Sequence, residues 1–202
     1  MDPLTTNIET HKVFVNIMKH PIVQYWLDSK SIIQKVGEDW DEFAETNQAT
    51  EIAGEAVIGR PLYSFIAGDT TRLFVEAMLQ AVRVRQEPIR QPYRCDSPNL
   101  RREMEMLLLP EPDGHVRLIH RTLNIEPFPR PYLFNTVIAE TTQKHMIRCS
   151  MCNRILQFGV WRDIHEVDEL TDRSGVIPVV YRVCTDCRTQ VNKKLPPDLR
   201  EL

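Results

Sequence analysis

The chain has 202 residues, 42% of them hydrophobic and 26% charged, so it has the means to bury a core and is not a disordered tail. At roughly 100–200 residues per domain, that length holds one ordinary domain plus a small appendage. Its 25 Lys and Arg against 28 Asp and Glu leave a net charge of −3, which argues against a dedicated nucleic-acid or membrane binder with a large basic excess.

The opening residues MDPLTTNIETHKVF lack the basic-then-apolar order of a signal peptide. No apolar run reaches the roughly 18 residues that a transmembrane helix needs. A cytoplasmic protein without membrane association is the expectation. In that compartment cysteines stay reduced, so paired cysteines point to metal or redox chemistry before disulfides.

Val13, Phe14, Ile17 and Met18 form one apolar stripe at helical spacing, and Pro21 is placed to open a second helical stretch. Residues 1–29 are therefore expected as an N-terminal helical segment. The β-branched run SIIQKV at 31–36, followed by Gly37, predicts a short strand and turn. WDEFAETNQAT at 40–50 predicts a short helix, and Gly59-Arg60-Pro61 breaks the chain again.

The strongest helix is 69–86. Phe74, Ala77, Met78, Ala81 and Val82 recur at i, i+3, i+4, i+7 and i+8, with Asp69, Thr70 or Thr71 available as a cap. PIRQPYRC at 88–95 predicts a strand, with Pro92 at an edge or a strand start. In 102–109, Met104, Met106 and Leu108 fall on alternate positions, with Glu103 and Glu105 flanking the first of them. After the Asp113-Gly114 turn, Val116 and Leu118 alternate again, which predicts a hairpin. This order implies an α+β domain with helices on one face of an antiparallel sheet. The prolines of EPFPRPYLF at 126–134 mark a boundary. The expected divisions are a domain over 30–125, a linker or edge strand over 126–143, and a small domain over 144–202.

These elements resemble a PAS domain, the α+β sensory module of bacterial signalling proteins. The resemblance rests on element order and on local phrases: Trp40-x-x-Phe43-Ala44-x-x-Asn47, Val57-Ile58-Gly59-Arg60-Pro61-Leu62, and Tyr93-Arg94-Cys95-Asp96-Ser97-Pro98-x-x-Arg101-Arg102. They are similar to an uncharacterised bacterial group in which two Cys-x-x-Cys pairs follow the PAS-like part. Here those pairs are CSMC and CTDC. Similar segments often carry His-Gly before the second pair, where this chain has Tyr181-Arg182. The resemblance implies sensing of a small molecule or docking of a protein, and no haem or flavin. The helix 69–86 lacks the histidine of haem-binding relatives, and the Asn-Cys-Arg-Phe phrase of flavin-adduct relatives is absent.

Cys149, Cys152, Cys184 and Cys187 have the spacing C-x2-C-x31-C-x2-C. Zinc prefers four tetrahedral ligands and thiolates suit it. Two pairs close the shell and leave no position for catalytic water, so a structural zinc-ribbon-like site is the expectation. His165, in the insert, is left out because four thiolates fill the shell. Phe158, Val160 and Trp161 are expected to pack beneath the site. The rival readings are paired disulfides and thiol–disulfide chemistry, for which a single Cys pair at a strand-to-helix junction is the usual form.

Cys95 reads as a buried small hydrophobe. His120 continues the inward face of its strand as a core histidine or a weak candidate for ligand binding. Arg94, Asp96, Arg101 and Arg102 read as a solvated loop with one ion pair, the alternative being a holder for an anion or a partner domain. Glu103 and Glu105 read as solvating carboxylates on an outer face. The resulting expectation is a non-enzymatic regulatory module with a protein partner, a small-molecule ligand, or both, and the segment 10–28 as a dimer or docking helix. Two alternatives stand beside it. One is a nucleic-acid-associated regulator using Arg148, Arg154, Arg182, Arg188, Lys193 and Lys194. The other is an enzyme acting in the PAS-like cavity.

Overall fold

The computed structural model describes residues 22–46, 50–66, 68–137, 144–167 and 175–195. Val23, Tyr25 and Leu27 alternate with more exposed neighbours along strand β1 (Val23–Leu27), so one side of the strand faces the core. This corrects the helical expectation for the segment around Pro21: a period of 2 governs from residue 23 onwards. The apolar stripe 13–18 and most of segment 10–28 lie outside the described residues. Asp28 closes the turn to β2 (Ile33–Val36), its Oδ1 accepting the amides of Lys30 and Ile32 at 2.9 Å each.

Between β2 and the next strand come helix α1 (Trp40–Thr46), the single turn α2 (Gly54–Val57) and the long α3 (Asp69–Arg85). The expected side-chain cap of α3 is not used. Gly68 precedes the helix at φ 83°, while Thr71 Oγ1 bonds Ser150 Oγ at 2.8 Å. The helix ends where Gln86 turns left-handed and its amide reaches Val82 O. Phe74, Val75, Met78, Leu79, Ala81 and Val82 are buried on one face, the larger ones contributing about 1.5–3 kcal/mol each.

Strands β3 (Ile89–Arg94), β4 (Leu100–Pro110) and β5 (Val116–Pro127) complete a five-stranded antiparallel sheet in the order β2-β1-β5-β4-β3. The β4–β5 hairpin turns at Pro112–Gly114 with Asp113 at φ 59° and Gly114 at φ 74°. Met104, Met106, Leu108, Val116 and Leu118 are buried on the sheet face that α3 covers. This is the α+β, PAS-like architecture expected from the element order.

The second sheet is mixed. Its order is β6-β10-β7-β8-β9, from β6 (Leu133–Thr136), β7 (Met146–Cys149), β8 (Ile155–Gln157), β9 (Val160–Arg162) and β10 (Val176–Arg182). Strand β10 runs parallel to both β6 and β7, so the segment is not a plain antiparallel ribbon. The Pro-rich stretch supplies β6 to this sheet's edge. Phe158 (φ 49°) and Gly159 (φ 79°) form the two-residue turn between β8 and β9. That geometry puts Phe158 at a hairpin tip, 95% exposed, with Val160 also exposed. Only Trp161 of the expected trio packs against the core.

A small core of Tyr132, Ile155, Ile164, Val167, Ile177 and Val179 belongs to the second sheet alone. Cys149, Met151, Val183, Cys184, Cys187, Val191 and Leu195 instead join the core beneath α3. Helix α4 (Thr185–Asn192) carries Val191 into it. The two parts are thus packed on one another.

A buried ion network seals the join. Arg94 pairs with Asp96 at 2.7 Å and with Asp163, while Arg148 reaches Asp96 at 3.5 Å. The Asp96 side chain is only 2% exposed, and those of Arg94 and Arg148 are 8% exposed. Burial opposes the charge on Arg94, but hydrogen bonds to Asp96 and Asp163 outweigh it and hold its pKa above the usual guanidinium value. The solvated-loop expectation for Asp96 and its arginines is therefore corrected: they join β3 to β7 and to the turn at Ile164–Glu166. Arg148 also stacks on Phe134, 3.8 Å from the ring centroid.

Candidate functional site: a four-cysteine cluster beside an apolar cavity

Cys149 ends β7, and Cys152 follows within the tight turn to β8. Asn153 completes the turn at φ 58°, its amide bonded to Cys149 O and its Nδ2 to Arg94 O at 3.2 Å. Cys184 is the N-cap of α4, and Cys187 lies in its first turn with its amide 3.4 Å from Cys184 Sγ. All four sulfurs lie within 4.8 Å of one another. Cys149 and Cys187 are 3.9 Å apart, and Cys152 and Cys184 3.8 Å. Four thiolates at about 2.3 Å from a tetrahedral zinc stand about 3.8 Å apart, so the spacing fits that ion.

The amides around the cluster fit it as well. Those of Met151 and Cys184 each point at Cys149 Sγ at 3.4 Å, and Arg154 Nε donates to Cys152 Sγ at 3.2 Å. These donors stabilise negative sulfur. Four thiols so close cannot all ionise unaided. Hydrogen bonding from Cys149, Cys187 and Arg154 pushes Cys152 down. Cys187 is pushed up by its hydrogen bonds to Cys149 and Cys152, and burial pushes Cys184 up to about 11. A cation at the centre removes that conflict. The second pair does occupy a strand-to-helix junction, the place where a redox pair would sit. Two pairs facing one another across less than 4 Å nevertheless form one cluster.

Beside the cluster, between the first sheet and its helices, lies a cavity of about 310 Å³. Val23 and Tyr25 of β1, Trp40 and Phe43 of α1, Val75 of α3, Tyr93 of β3, Met104 and Met106 of β4 and His120 of β5 contribute to its wall, as does Met151. His120 Nδ1 lies 2.8 Å from the Tyr93 hydroxyl, and its ring stacks on Tyr25 at 5.6 Å between centroids. Burial lowers the His120 pKa to about 4 and pushes both phenols up. All three groups are therefore neutral at pH 7.

The sequence singles out His120, and the structure brings it to the cavity. It misses Tyr25, Tyr93 and Met151. The alternation Val23-x-Tyr25-x-Leu27 is the signal that finds Tyr25 once β1 is read as a strand. Cys95 is exposed, not a core residue. Glu105 lies outside the cavity wall and pairs with Arg121 at 2.7 Å and with Arg90 at 3.2 Å. His165 is exposed on the turn at Ile164–Glu166. Of the six cations considered for nucleic acid, three are engaged internally. Arg148 holds Asp96, Arg154 holds sulfur and Asp186, and Lys194 donates to Gln91 Oε1. Among the described residues no helix is long and apolar enough to cross a membrane.

No protein-family profile and no curated protein matches the chain. Solved structures with a related layout include a domain of an HTR-like protein from Haloarcula marismortui ATCC 43049, at 14% identity over 52% of this chain and 100% of that one, with a TM-score of 0.38. The photoactive yellow protein domain of the sensor histidine kinase Ppr from Rhodospirillum centenum shows 14% identity over 53% of this chain and 90% of that one (TM-score 0.39). A sensory box sensor histidine kinase from Vibrio cholerae shows 11% identity over 61% and 99% (TM-score 0.39). These proteins are what the chain is similar to. At such scores the fold class rests on this chain's own strand order.

Proposed function

We propose that the chain is a non-enzymatic signalling or regulatory module of the cytoplasm, in which the PAS-like part receives a small molecule or a protein partner and a structural zinc holds the C-terminal part. The observation that carries the sensory reading is the cavity of about 310 Å³ between sheet and helices, whose polar groups are neutral. That volume falls at the lower end of small-molecule sites. His120 at about 4 is poorly matched to acid–base work near neutral pH. Zinc, bound by Cys149, Cys152, Cys184 and Cys187, would supply a cross-link between the β7–β8 turn and the start of α4. A closed shell of four thiolates leaves it no substrate position. A protein partner receives the signal, and dimerisation through the segment 10–28 is one route to it.

Native mass spectrometry of protein purified gently from its own host, with and without chelator, tests this. One zinc per chain, lost with chelator, together with a small-molecule adduct or a protein partner, is the expected result. Zinc retained in full by a Cys149→Ser, Cys184→Ser double variant overturns the ligand assignment.

A further inference from the structure

The turn that carries the first cysteine pair is also part of the cavity wall. Met151 sits between Cys149 and Cys152 and is 4% exposed, and its side chain lines the cavity. Its amide points at Cys149 Sγ at 3.4 Å, and its carbonyl accepts the Arg94 amide at 2.7 Å. One residue therefore touches a sulfur of the cluster, the end of β3 and the cavity. Its neighbours are pinned too, Ser150 to Thr71 of α3 and Asn153 to Arg94 O. The sulfur cluster sets where this turn lies, and the turn sets where Met151 stands in the wall.

The wall also limits what the cavity accepts. Among the described residues no charged side chain lines it; its polar groups are Tyr25, Tyr93, His120 and the indole N–H of Trp40, which is already given to Ile52 O at 2.7 Å. A charged guest would be stripped of water with no counter-ion, which disfavours it. An apolar guest replaces water against aromatic and thioether side chains, which pack adaptably. A single hydroxyl or carbonyl on it can meet the Tyr93–His120 pair.

Building on the sensory reading above, we propose that the cavity binds an uncharged, largely apolar molecule with one hydrogen-bonding group, and that its affinity depends, through Met151, on metal occupancy of the four-cysteine cluster. Metal holds the 149–152 turn and keeps Met151 in the wall. Without it, the turn loses its anchor and the guest loses that contact. Linkage makes the effect reciprocal: the guest tightens metal binding by the same factor.

The test uses the full chain, zinc-loaded and chelator-stripped, with 2-naphthol as a neutral probe and 2-naphthoate as its anionic counterpart. Binding is read by calorimetry. Expected are 2-naphthol binding to the zinc-loaded chain, 2-naphthoate at least about tenfold weaker, and a loss of about tenfold for 2-naphthol on stripping, within the usual range of coupling factors. Saturating 2-naphthol should hinder zinc transfer to a competing chelator by the same factor. Met151→Ala, which removes no sulfur ligand, should keep one zinc and bring the coupling factor close to one.

Equal 2-naphthol affinity with and without zinc overturns the coupling, as does full coupling in Met151→Ala. Absent 2-naphthol binding, or equal binding of 2-naphthoate, overturns the guest chemistry. If the stripped chain unfolds, the zinc competition on folded protein decides: a zinc affinity indifferent to 2-naphthol overturns the proposal. Absence of zinc from the native protein would instead sink the functional reading on which this rests.

Discussion

The two sheets reach stability by different routes. The first is antiparallel throughout, and its inner face is covered by the six buried residues of α3. Its β1–β2, β3–β4 and β4–β5 pairs are local chain reversals, while β1 and β5 pair antiparallel across the whole helical segment between them. The second sheet depends on β10, which runs parallel to β6 and β7 and so needs a crossover connection instead of a tight turn. Its private core is six residues, and its cysteine-bearing ends share the first sheet's core. A region with so little core of its own needs a staple or a neighbour. Here it has a packed neighbour, a buried ion network and a sulfur cluster. The lesson is that the C-terminal part is an extension of the first core at one end and a separate small core at the other.

The largest effect should come from Cys149→Ser. Structural zinc sites in small domains carry on the order of 10 kcal/mol of metal-linked folding energy. We expect zinc stoichiometry to fall and amide exchange to rise across β7 to β10. Because Cys149 and Met151 lie in the shared core, protection at β3 should fall as well. Unchanged β3 exchange would show that the two regions fold independently.

Asp96→Ala should cost about 3–5 kcal/mol, since it leaves Arg94 and Arg148 buried with a partner removed. Urea unfolding measures this. A cost below about 1 kcal/mol would mean that the join is held by apolar packing alone.

His120 sharpens the comparison from the side of the first sheet. Its pKa falls from 6.5 to about 4 because burial disfavours the charged ring. The unfolded chain therefore takes up the proton first. The stabilisation from a neutral His120 is present above pH 6.5 and is lost as pH falls through that window towards 4. The full shift corresponds to at most about 3 kcal/mol. The difference in urea midpoint between pH 7 and pH 4.5 should shrink in His120→Gln relative to wild type. Equal differences would place the acid sensitivity elsewhere, for example in the ion network.

The smallest effect belongs to the hairpin tip. Phe158→Ser should change stability by no more than about 0.5 kcal/mol, because the side chain is 95% exposed. A thermal shift beyond that would mean that the tip is covered in solution.

Much of the first region was legible from pattern. The helix at 69–85 and the hairpin of β4 and β5 come from periods of 3.6 and 2 that belong to local backbone geometry. The cysteine spacing pointed to a cluster for a similar reason, since two residues between sulfurs suit a tight turn. Strand β1 was misread because a short apolar run beside a proline satisfies either period, and only pairing with β5 chooses between them.

The sequence alone thus determined the element types where periodicity is long, the α+β class, and the four residues of the cluster. Tertiary structure decided the rest. It buried Asp96 between two arginines, exposed Cys95 and Phe158, put Tyr25 against His120, and set Met151 in the cavity wall. Each of these depends on which distant surfaces meet. Local pattern carries no record of that, because burial and ion pairing are properties of the assembled core and not of any one segment.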